Sequence, residues 1–147
     1  MSAKIYLYWL KLPRGIKVHG LLEEFKSLVK KLEAYLNNLL KAEPQSITDQ
    51  VPVGSGVYVF EENGRFIYVG STKDLNRRLK HDLWGSMGQP DQPHTLGRKL
   101  MERFGDKEKA RAYLKNCRLK ICRTENEREA VILEQVLIYL TKPEYNK

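Results

Sequence analysis

A carboxylate in an apolar part of the chain is the first residue whose surroundings indicate chemistry. Glu134 is followed and preceded, at three and four residues, by Ala130, Val131, Leu137 and Ile138, and such residues share one face of a helix. A lone carboxylate among apolar side chains is costly unless it is paired or bound to a cation. Glu134 is therefore either a metal ligand on a rigid helix or a structural glutamate that reaches solvent or an arginine.

Two tyrosines lie in β-branched and aromatic runs, each next to a glycine. The first run contains Gly56-Val57-Tyr58 and the second ends in Tyr68-Val69-Gly70, with Asn63-Gly64 between them as a strong signal for a hairpin turn. A glycine beside a strand can mark the close approach of a ligand. Buried strand tyrosines are also common as plain core residues, so both interpretations stay open.

Several polar residues follow the second run. The segment 70–73, Gly-Ser-Thr-Lys, precedes a predicted helix, and a helix N-terminus is a natural site for an anion. Arg77 and Arg78 lie one turn later, where a planar guanidinium suits a phosphate and surface charge is the alternative. His81 and His94 are the remaining titratable candidates, and each is otherwise structural or merely solvated.

The composition favours a polyanionic partner. The 147 residues carry 26 Lys and Arg against 18 Asp and Glu, a net charge of +8, and ten of the basic residues lie between Arg98 and Arg123. Nucleic acid fits this charge, although a solvated helical face also would.

No run approaches the ~18 apolar residues of a membrane span. Cys117 and Cys122 are too few for a disulfide scaffold, and we expect reduced thiols in a cytoplasmic protein.

Both helices and strands must position these residues, which predicts an α+β fold. We expect a small three-stranded antiparallel sheet flanked by helices, with an N-terminal strand at 4–12 and a long amphipathic helix at 20–41. Residues 1–50 form the predicted extension and 51–147 the predicted domain. A hairpin at 57–60 and 66–69 precedes a helix reaching residue 82, helices at 95–104 and 107–116, a strand at 117–123 and a final helix. The motif Thr-Glu-Asn-Glu at 124–127 predicts a capping box for that last helix.

These residues together resemble the signature of the GIY-YIG nuclease superfamily, which includes intron homing endonucleases, some restriction enzymes and a domain of an excision-repair nuclease. Nine residues separate Gly56-Val57-Tyr58 from Tyr68-Val69-Gly70, and Arg78 stands ten residues after Tyr68, like the essential arginine of the family. Glu134 resembles the metal-binding glutamate of the family's last helix. The resemblance covers roughly residues 51–147.

The resemblance extends to the centre and the end of the domain. Asn146, after Tyr145, sits like the asparagine that closes the domain in homing enzymes, and the stretch after His94 is similar to theirs. Many relatives carry a histidine four residues after the arginine, whereas this chain has Asp82 there and His81 one residue earlier. Residues 1–50 match no recognised DNA-targeting module.

The resemblance implies a metal-dependent endonuclease that hydrolyses phosphodiester bonds, with DNA favoured over RNA and one Mg²⁺ or Mn²⁺ held by Glu134. Arg78 would bind the scissile phosphate, and Tyr58 would orient or deprotonate the attacking water. The expected catalytic residues are Tyr58, Tyr68, Arg78, His94, Glu134 and Asn146. The expected nucleic-acid-binding residues are Gly70, Ser71, Lys73, Arg77, His81, Arg98 and Lys99.

Two other functions remain as alternatives at this stage. One is a catalytically silent nucleic-acid-binding module of the same fold. The other is an interaction protein that uses the helix at 20–41 for a homodimer or a protein partner, since its apolar stripe could form a helix–helix seam as well as pack on its own domain. The sequence leaves repair, restriction and mobile-element roles open.

Overall fold

The computed structural model describes residues 17–147, so the strand predicted at 4–12 lies outside the described residues. The chain divides into two compact units, one ending at Glu33 and the other running from Ala34 to Lys147. The second unit contains the segment 43–50 as well as the whole of the predicted domain. The assignment of 1–50 as a separate extension stays a prediction.

The described part of the first unit is helical. A 3₁₀ turn at Val18–Gly20 leads into helix α1, Leu21–Lys41, which confirms the predicted helix. Lys26 and Glu23 form an ion pair at 3.6 Å between Nζ and Oε1. Leu21, Leu22, Phe25 and Val29 of the apolar stripe are exposed. A homodimer or partner contact through this stripe stays a prediction.

The second unit is built on the predicted three-stranded antiparallel sheet. Its strands are β1, Gly56–Glu62, β2, Arg65–Thr72, and β3, Arg118–Arg123, in the order β2-β1-β3. The turn residues Asn63 and Gly64 have φ angles of 52° and 75°, which suits the tight hairpin that the sequence predicts. In the register of this hairpin Tyr58 lies opposite Gly70 and Phe60 opposite Tyr68.

The two faces of the sheet carry different layers. Alternation along the strands puts Tyr58, Phe60 and Tyr68 on one face, where they share a core with the helix Arg77–Gly85, with α2, Thr95–Phe104, and with α3, Lys107–Asn116. Ser71 and Cys122 lie on the other face and contact α4, Glu127–Thr141, and the end of α1. The sheet is therefore covered on both sides, and the tyrosines belong to the first layer.

The helix after β2 is a π-helix rather than the predicted α-helix. Its backbone hydrogen bonds join residues five positions apart, as in the bond that the Ser86 amide donates to the His81 carbonyl at 3.0 Å. Buried apolar side chains recur every four residues, at Leu75, Leu79, Leu83 and Met87, a spacing that is compatible with a π-helix as well as with an α-helix. Such segments are rare and often lie at functional sites.

The predicted capping box at 124–127 is wrong, because the N-cap of the helix lies two residues later than the box requires. Asn126 is the N-cap of α4, and its side-chain Oδ1 accepts a hydrogen bond from the Glu129 amide at 2.9 Å. Thr124 is engaged elsewhere, because its amide donates to the Ser55 carbonyl at 3.0 Å and its hydroxyl to the Asn126 carbonyl at 2.8 Å. The hydrogen bond to Ser55, just beyond the paired ends of β1 and β3, therefore takes the threonine out of the cap.

The last features of the fold concern the cysteines and the character of the helices. Cys117 and Cys122 are free and buried, and burial raises the pKa of the Cys117 thiol to about 11. Within residues 17–147, no helix has both the length and the apolar character that crossing a bilayer requires.

Candidate active site

The site is centred on the hydroxyl of Tyr58, which lies in the middle of the buried face of the sheet. The residue is 1% exposed, and its hydroxyl is 2.7 Å from Nε2 of His94. A Cβ atom added at Gly70 would lie 2.3 Å from Cζ and 2.4 Å from Oη of Tyr58. The glycine of the second tripeptide therefore makes room for the tyrosine of the first. A contact of Gly70 with nucleic acid stays a prediction.

His94 is held in one tautomer by its place at the start of α2. It is the N-cap residue, and its Nδ1 accepts a hydrogen bond from the Leu96 amide at 3.1 Å. In the neutral ring the proton is then on Nε2, which donates to the Tyr58 hydroxyl. Burial lowers the pKa of His94 to about 3, and the charges of Arg78 and Arg98 act in the same direction. His94 is thus a neutral, oriented donor to Tyr58.

Tyr68 and Arg78 complete the surroundings of Tyr58. The Tyr68 ring centroid lies 6.2 Å from that of Tyr58 and 5.4 Å from that of His94. Burial raises the pKa of both phenols, and the positive charge of Arg78 opposes this effect at both. Arg78 also pairs with Asp82, at 3.4 Å between the guanidinium NH1 and Oδ2, with 27% and 26% of the two side chains exposed. The guanidinium therefore faces the phenols and remains partly open to solvent.

Glu134 reaches the site from the other layer, on α4. Its Oε2 accepts a hydrogen bond at 2.9 Å from the hydroxyl of Ser71. Ser71 follows Gly70 directly in β2. The negative charge of Glu134 contributes to the raised pKa values of Tyr58 and Tyr68. The carboxylate and Arg78 therefore both act electrostatically on the two phenols, and their joint role in one catalytic site stays a prediction.

The donor set fits Mg²⁺ better than a metal that needs a protein cage. Glu134 is half-buried in an apolar helix, and its partner Ser71 orients the carboxylate. Within residues 17–147 no group of three or more His, Cys, Asp or Glu side chains could hold a metal ion. Mg²⁺ typically takes only one or two protein carboxylates and keeps several waters. A single glutamate is therefore sufficient for this cation.

An open cleft of about 390 Å³ adjoins the site. Lys73 and Arg77 are exposed on its rim, as a contact with a phosphate backbone would require. Its lining consists of Ser71, Thr72, Lys73, Asp74, Arg77, Arg78, Asp82 and Glu127. His81 is exposed and lines a neighbouring groove of about 530 Å³ with Arg77 and Asp82. The predicted nucleic-acid-binding role of these residues stays a prediction.

Asn146 acts on the backbone of β2 rather than on the phenols. Its Oδ1 accepts from the Val69 amide and its Nδ2 donates to the Val69 carbonyl, both at 2.8 Å. Since β2 is the outer strand, the asparagine side chain occupies the place that a further strand would take. It fixes the residue between Tyr68 and Gly70, which supports a positioning role for Asn146.

Several basic residues of the stretch 98–123 are engaged within the protein. Lys99 donates to the carbonyls of Tyr145 and Lys147, with 3.0 Å to the former, and thereby holds the segment that carries Asn146. Arg98 donates to the Gln92 carbonyl at 2.9 Å and remains exposed. The Arg103 and Arg111 guanidinium groups lie over aromatic rings. The stretch is therefore only partly available as a surface for phosphates.

Sequence reasoning missed Gln92, a buried polar residue two positions before His94. A Cβ atom at Gly97 would lie 1.9 Å from the Gln92 amide nitrogen. A glycine inside a helix costs about 1 kcal/mol relative to alanine, so Gly97 was the one signal in the sequence that a side chain packs closely there.

Comparisons with known proteins identify the family. No protein-family model matches the chain. The UvrABC system protein C of Fervidobacterium nodosum is 31% identical over 100 residues, which are 68% of this chain and 14% of that protein. The same protein of Thermosipho africanus is 31% identical over 103 residues, which are 69% and 15%. The chain thus spans about one seventh of the length of these curated relatives.

A solved structure covers the same region. It is the GIY-YIG N-terminal endonuclease domain of UvrC from Thermotoga maritima, bound to its catalytic divalent cation, magnesium. The identity is 30%, over 78% of this chain and 98% of that one, and the TM-score is 0.45. At this TM-score the superposition carries no weight, and the assignment rests on sequence identity and on the residues at family spacing. The chain belongs to the GIY-YIG superfamily.

Proposed function

We propose that this chain is a metal-dependent endonuclease that hydrolyses phosphodiester bonds of nucleic acid, with DNA favoured over RNA. One Mg²⁺ or Mn²⁺ would be held by Glu134. The observation that carries the proposal is the environment of the buried Tyr58 hydroxyl. The hydroxyl accepts a hydrogen bond from neutral His94 at 2.7 Å, and the positive charge of Arg78 acts to lower its pKa. A buried structural tyrosine needs one hydrogen-bond partner, but it does not need a cation beside it as well. The magnesium-bound UvrC domain of Thermotoga maritima is consistent with the chosen cation.

The protein groups have separable roles in this proposal. Tyr58 first releases its phenolic proton to solvent, and the phenolate, stabilised by the His94 N–H and by Arg78, then takes the proton of the attacking water. Arg78 also binds the scissile phosphate through its solvent-exposed part. Tyr68 packs against both Tyr58 and His94 and positions them, while Asn146 holds β2 in place. When bound, the cation supplies Lewis-acid stabilisation of the phosphate and of the leaving oxygen.

Electrostatics explain why the base and the metal depend on each other. Burial raises the pKa of Tyr58 well above its usual value, and the negative charge of Glu134 adds to that rise. A cation at Glu134 would cancel this negative charge and favour the phenolate. Tyr58 would therefore remain a neutral phenol until a cation binds at Glu134.

The test is cleavage of plasmid, single-stranded, branched and RNA substrates with Mg²⁺ or Mn²⁺ and with EDTA. We expect metal-dependent cutting that Glu134→Ala and Tyr58→Phe each reduce at least 100-fold. Glu102→Ala and Tyr139→Phe change exposed residues of the same types and should cut normally. Tyr58→Phe cutting at the wild-type rate would remove the general-base role.

The alternative of a silent nucleic-acid-binding module has a different outcome. Such a module would bind the same substrates with an affinity that falls as salt rises, and would cut none of them in any metal. Binding that is equally strong in EDTA and unaffected by Glu134→Ala would complete that result. We further propose a cytoplasmic location, because the two buried free thiols suit a reducing compartment.

A further inference from the structure

The amide of Gln92 connects two segments that both contact the proposed base. Gln92 is 5% exposed, and its Nε2 donates to the carbonyls of Asp82 and Leu83 at 3.0 and 3.3 Å. These carbonyls belong to the π-helix that carries Arg78. On its other side the amide lies against the backbone of Gly97 in α2, where a Cβ atom would be 1.9 Å from Nε2.

The first connection leads to Arg78. The last carbonyls of a helix lack partners within the helix, and a buried carbonyl without a partner is costly. The Gln92 amide supplies this partner at Asp82, whose own carboxylate pairs with Arg78 at 3.4 Å. Fixing the backbone of Asp82 therefore fixes the carboxylate against which the Arg78 guanidinium rests.

The second connection leads to His94. Gln92 lies two residues before it, and the Gln92 carbonyl accepts a hydrogen bond at 2.9 Å from Arg98, one turn into α2. Gly97 lies in the first turn of the same helix, of which His94 is the N-cap. The position of the Gln92 amide therefore sets how the start of α2, with the His94 ring, sits against the π-helix.

The glutamine is a poor choice for stability alone. Within residues 17–147 its Oε1 is buried and has no hydrogen-bond partner, and such an acceptor costs about 1–3 kcal/mol. Methionine has a similar length and no such acceptor. A requirement for the two donated hydrogen bonds explains why an amide occupies this place.

We propose that Gln92 is a positioning residue that holds Arg78 and His94 in register with each other around Tyr58. The part that concerns catalysis rests on the proposed endonuclease function. The part that concerns geometry does not, because it predicts how the His94–Tyr58 hydrogen bond responds when the amide is removed.

The test compares Gln92→Met with Gln89→Met. Gln89 is exposed three residues earlier in the same loop, so the second variant controls for the substitution itself. The first readout is the NMR signal of the His94 Nε2 proton in ¹⁵N-labelled protein, assigned by its loss in His94→Asn. We expect its exchange with water to accelerate at least tenfold in Gln92→Met and to stay unchanged in Gln89→Met.

The second readout is Mg²⁺-dependent cleavage, followed well below the unfolding temperature of each variant. Misplacing reacting groups by about 1 Å can cost 10²-fold in rate, so we expect kcat to fall between 10- and 100-fold in Gln92→Met. KM should change less than threefold, since the exposed rim of the cleft is untouched. A purely structural role would lower the unfolding temperature and leave both readouts unchanged.

A second pair of variants keeps the test valid if Gln92→Met folds poorly. Gly97→Ala should displace the amide, and Gln92→Ala should remove it, so the double variant should be no less active than the worse single variant. Losses that multiply in the double variant would overturn the proposal, as would an unchanged His94 signal in Gln92→Met. Accelerated exchange of that signal in Gln92→Met, together with a wild-type protein that cuts no substrate, would uphold the positioning and reject the endonuclease.

Discussion

Acid should destabilise this protein through His94. Its pKa is about 3 in the folded protein against 6.5 when unperturbed, so below pH 6.5 the unfolded chain binds a proton that the folded chain refuses. The contribution of neutral His94 to the free energy of unfolding is therefore fully present above pH 6.5 and is lost as the pH falls toward 3. At about 1.4 kcal/mol per pH unit, the loss is about 2 kcal/mol by pH 5 and at most about 5 kcal/mol near pH 3.

Urea unfolding of wild type and His94→Asn at pH 7 and pH 5 measures this effect. Asparagine can keep the N-cap bond to the Leu96 amide but does not titrate, so the loss in the variant should be smaller by about 2 kcal/mol. His81→Asn, at an exposed position, should lose as much as wild type does. Equal losses in wild type and His94→Asn would show that the ring is protonated in the folded state, which would also remove its assignment as a neutral donor.

Three further outcomes are expected. Gly70→Ala puts a Cβ atom 2.3 Å from the Tyr58 ring, and we expect a loss of about 1–3 kcal/mol in urea unfolding with at least 100-fold slower cleavage. Asn146→Ala removes both bonds to Val69, and should cost about 1–3 kcal/mol in the same assay while lowering kcat more than substrate affinity. Because burial raises the pKa of Tyr58, the single-turnover rate should rise about tenfold per pH unit from pH 7 to 9, and a flat profile would argue against Tyr58 as the base.

The hairpin was predictable because its code is local. Asn63 and Gly64 accept the positive φ angles of the turn, and the β-branched and aromatic runs on either side form its two strands. The register set by this turn brings Tyr58 and Tyr68 to one face. Family spacing then singled out Arg78 and Glu134, which the structure couples electrostatically to both tyrosines.

The remaining features depend on contacts that no local pattern encodes. Leucines spaced by four fit an α-helix and a π-helix alike, so the sequence does not distinguish the two around Arg78. Thr124 has the right type for a cap, but its pairing with Ser55 is tertiary. Gln92 is a polar residue in a loop rich in proline and glycine, and its burial follows only from how α2 packs against the π-helix.

The side chain of Asn146 has a consequence for association between molecules. An outer strand presents unpaired amides and carbonyls that can pair with a strand of another molecule. By bonding both backbone groups of Val69, Asn146 closes the middle of that edge with a single residue. Damage at this asparagine would then do more than disturb the tyrosines, because it would open a template for strand addition, and the inactive protein would self-associate as its concentration rises.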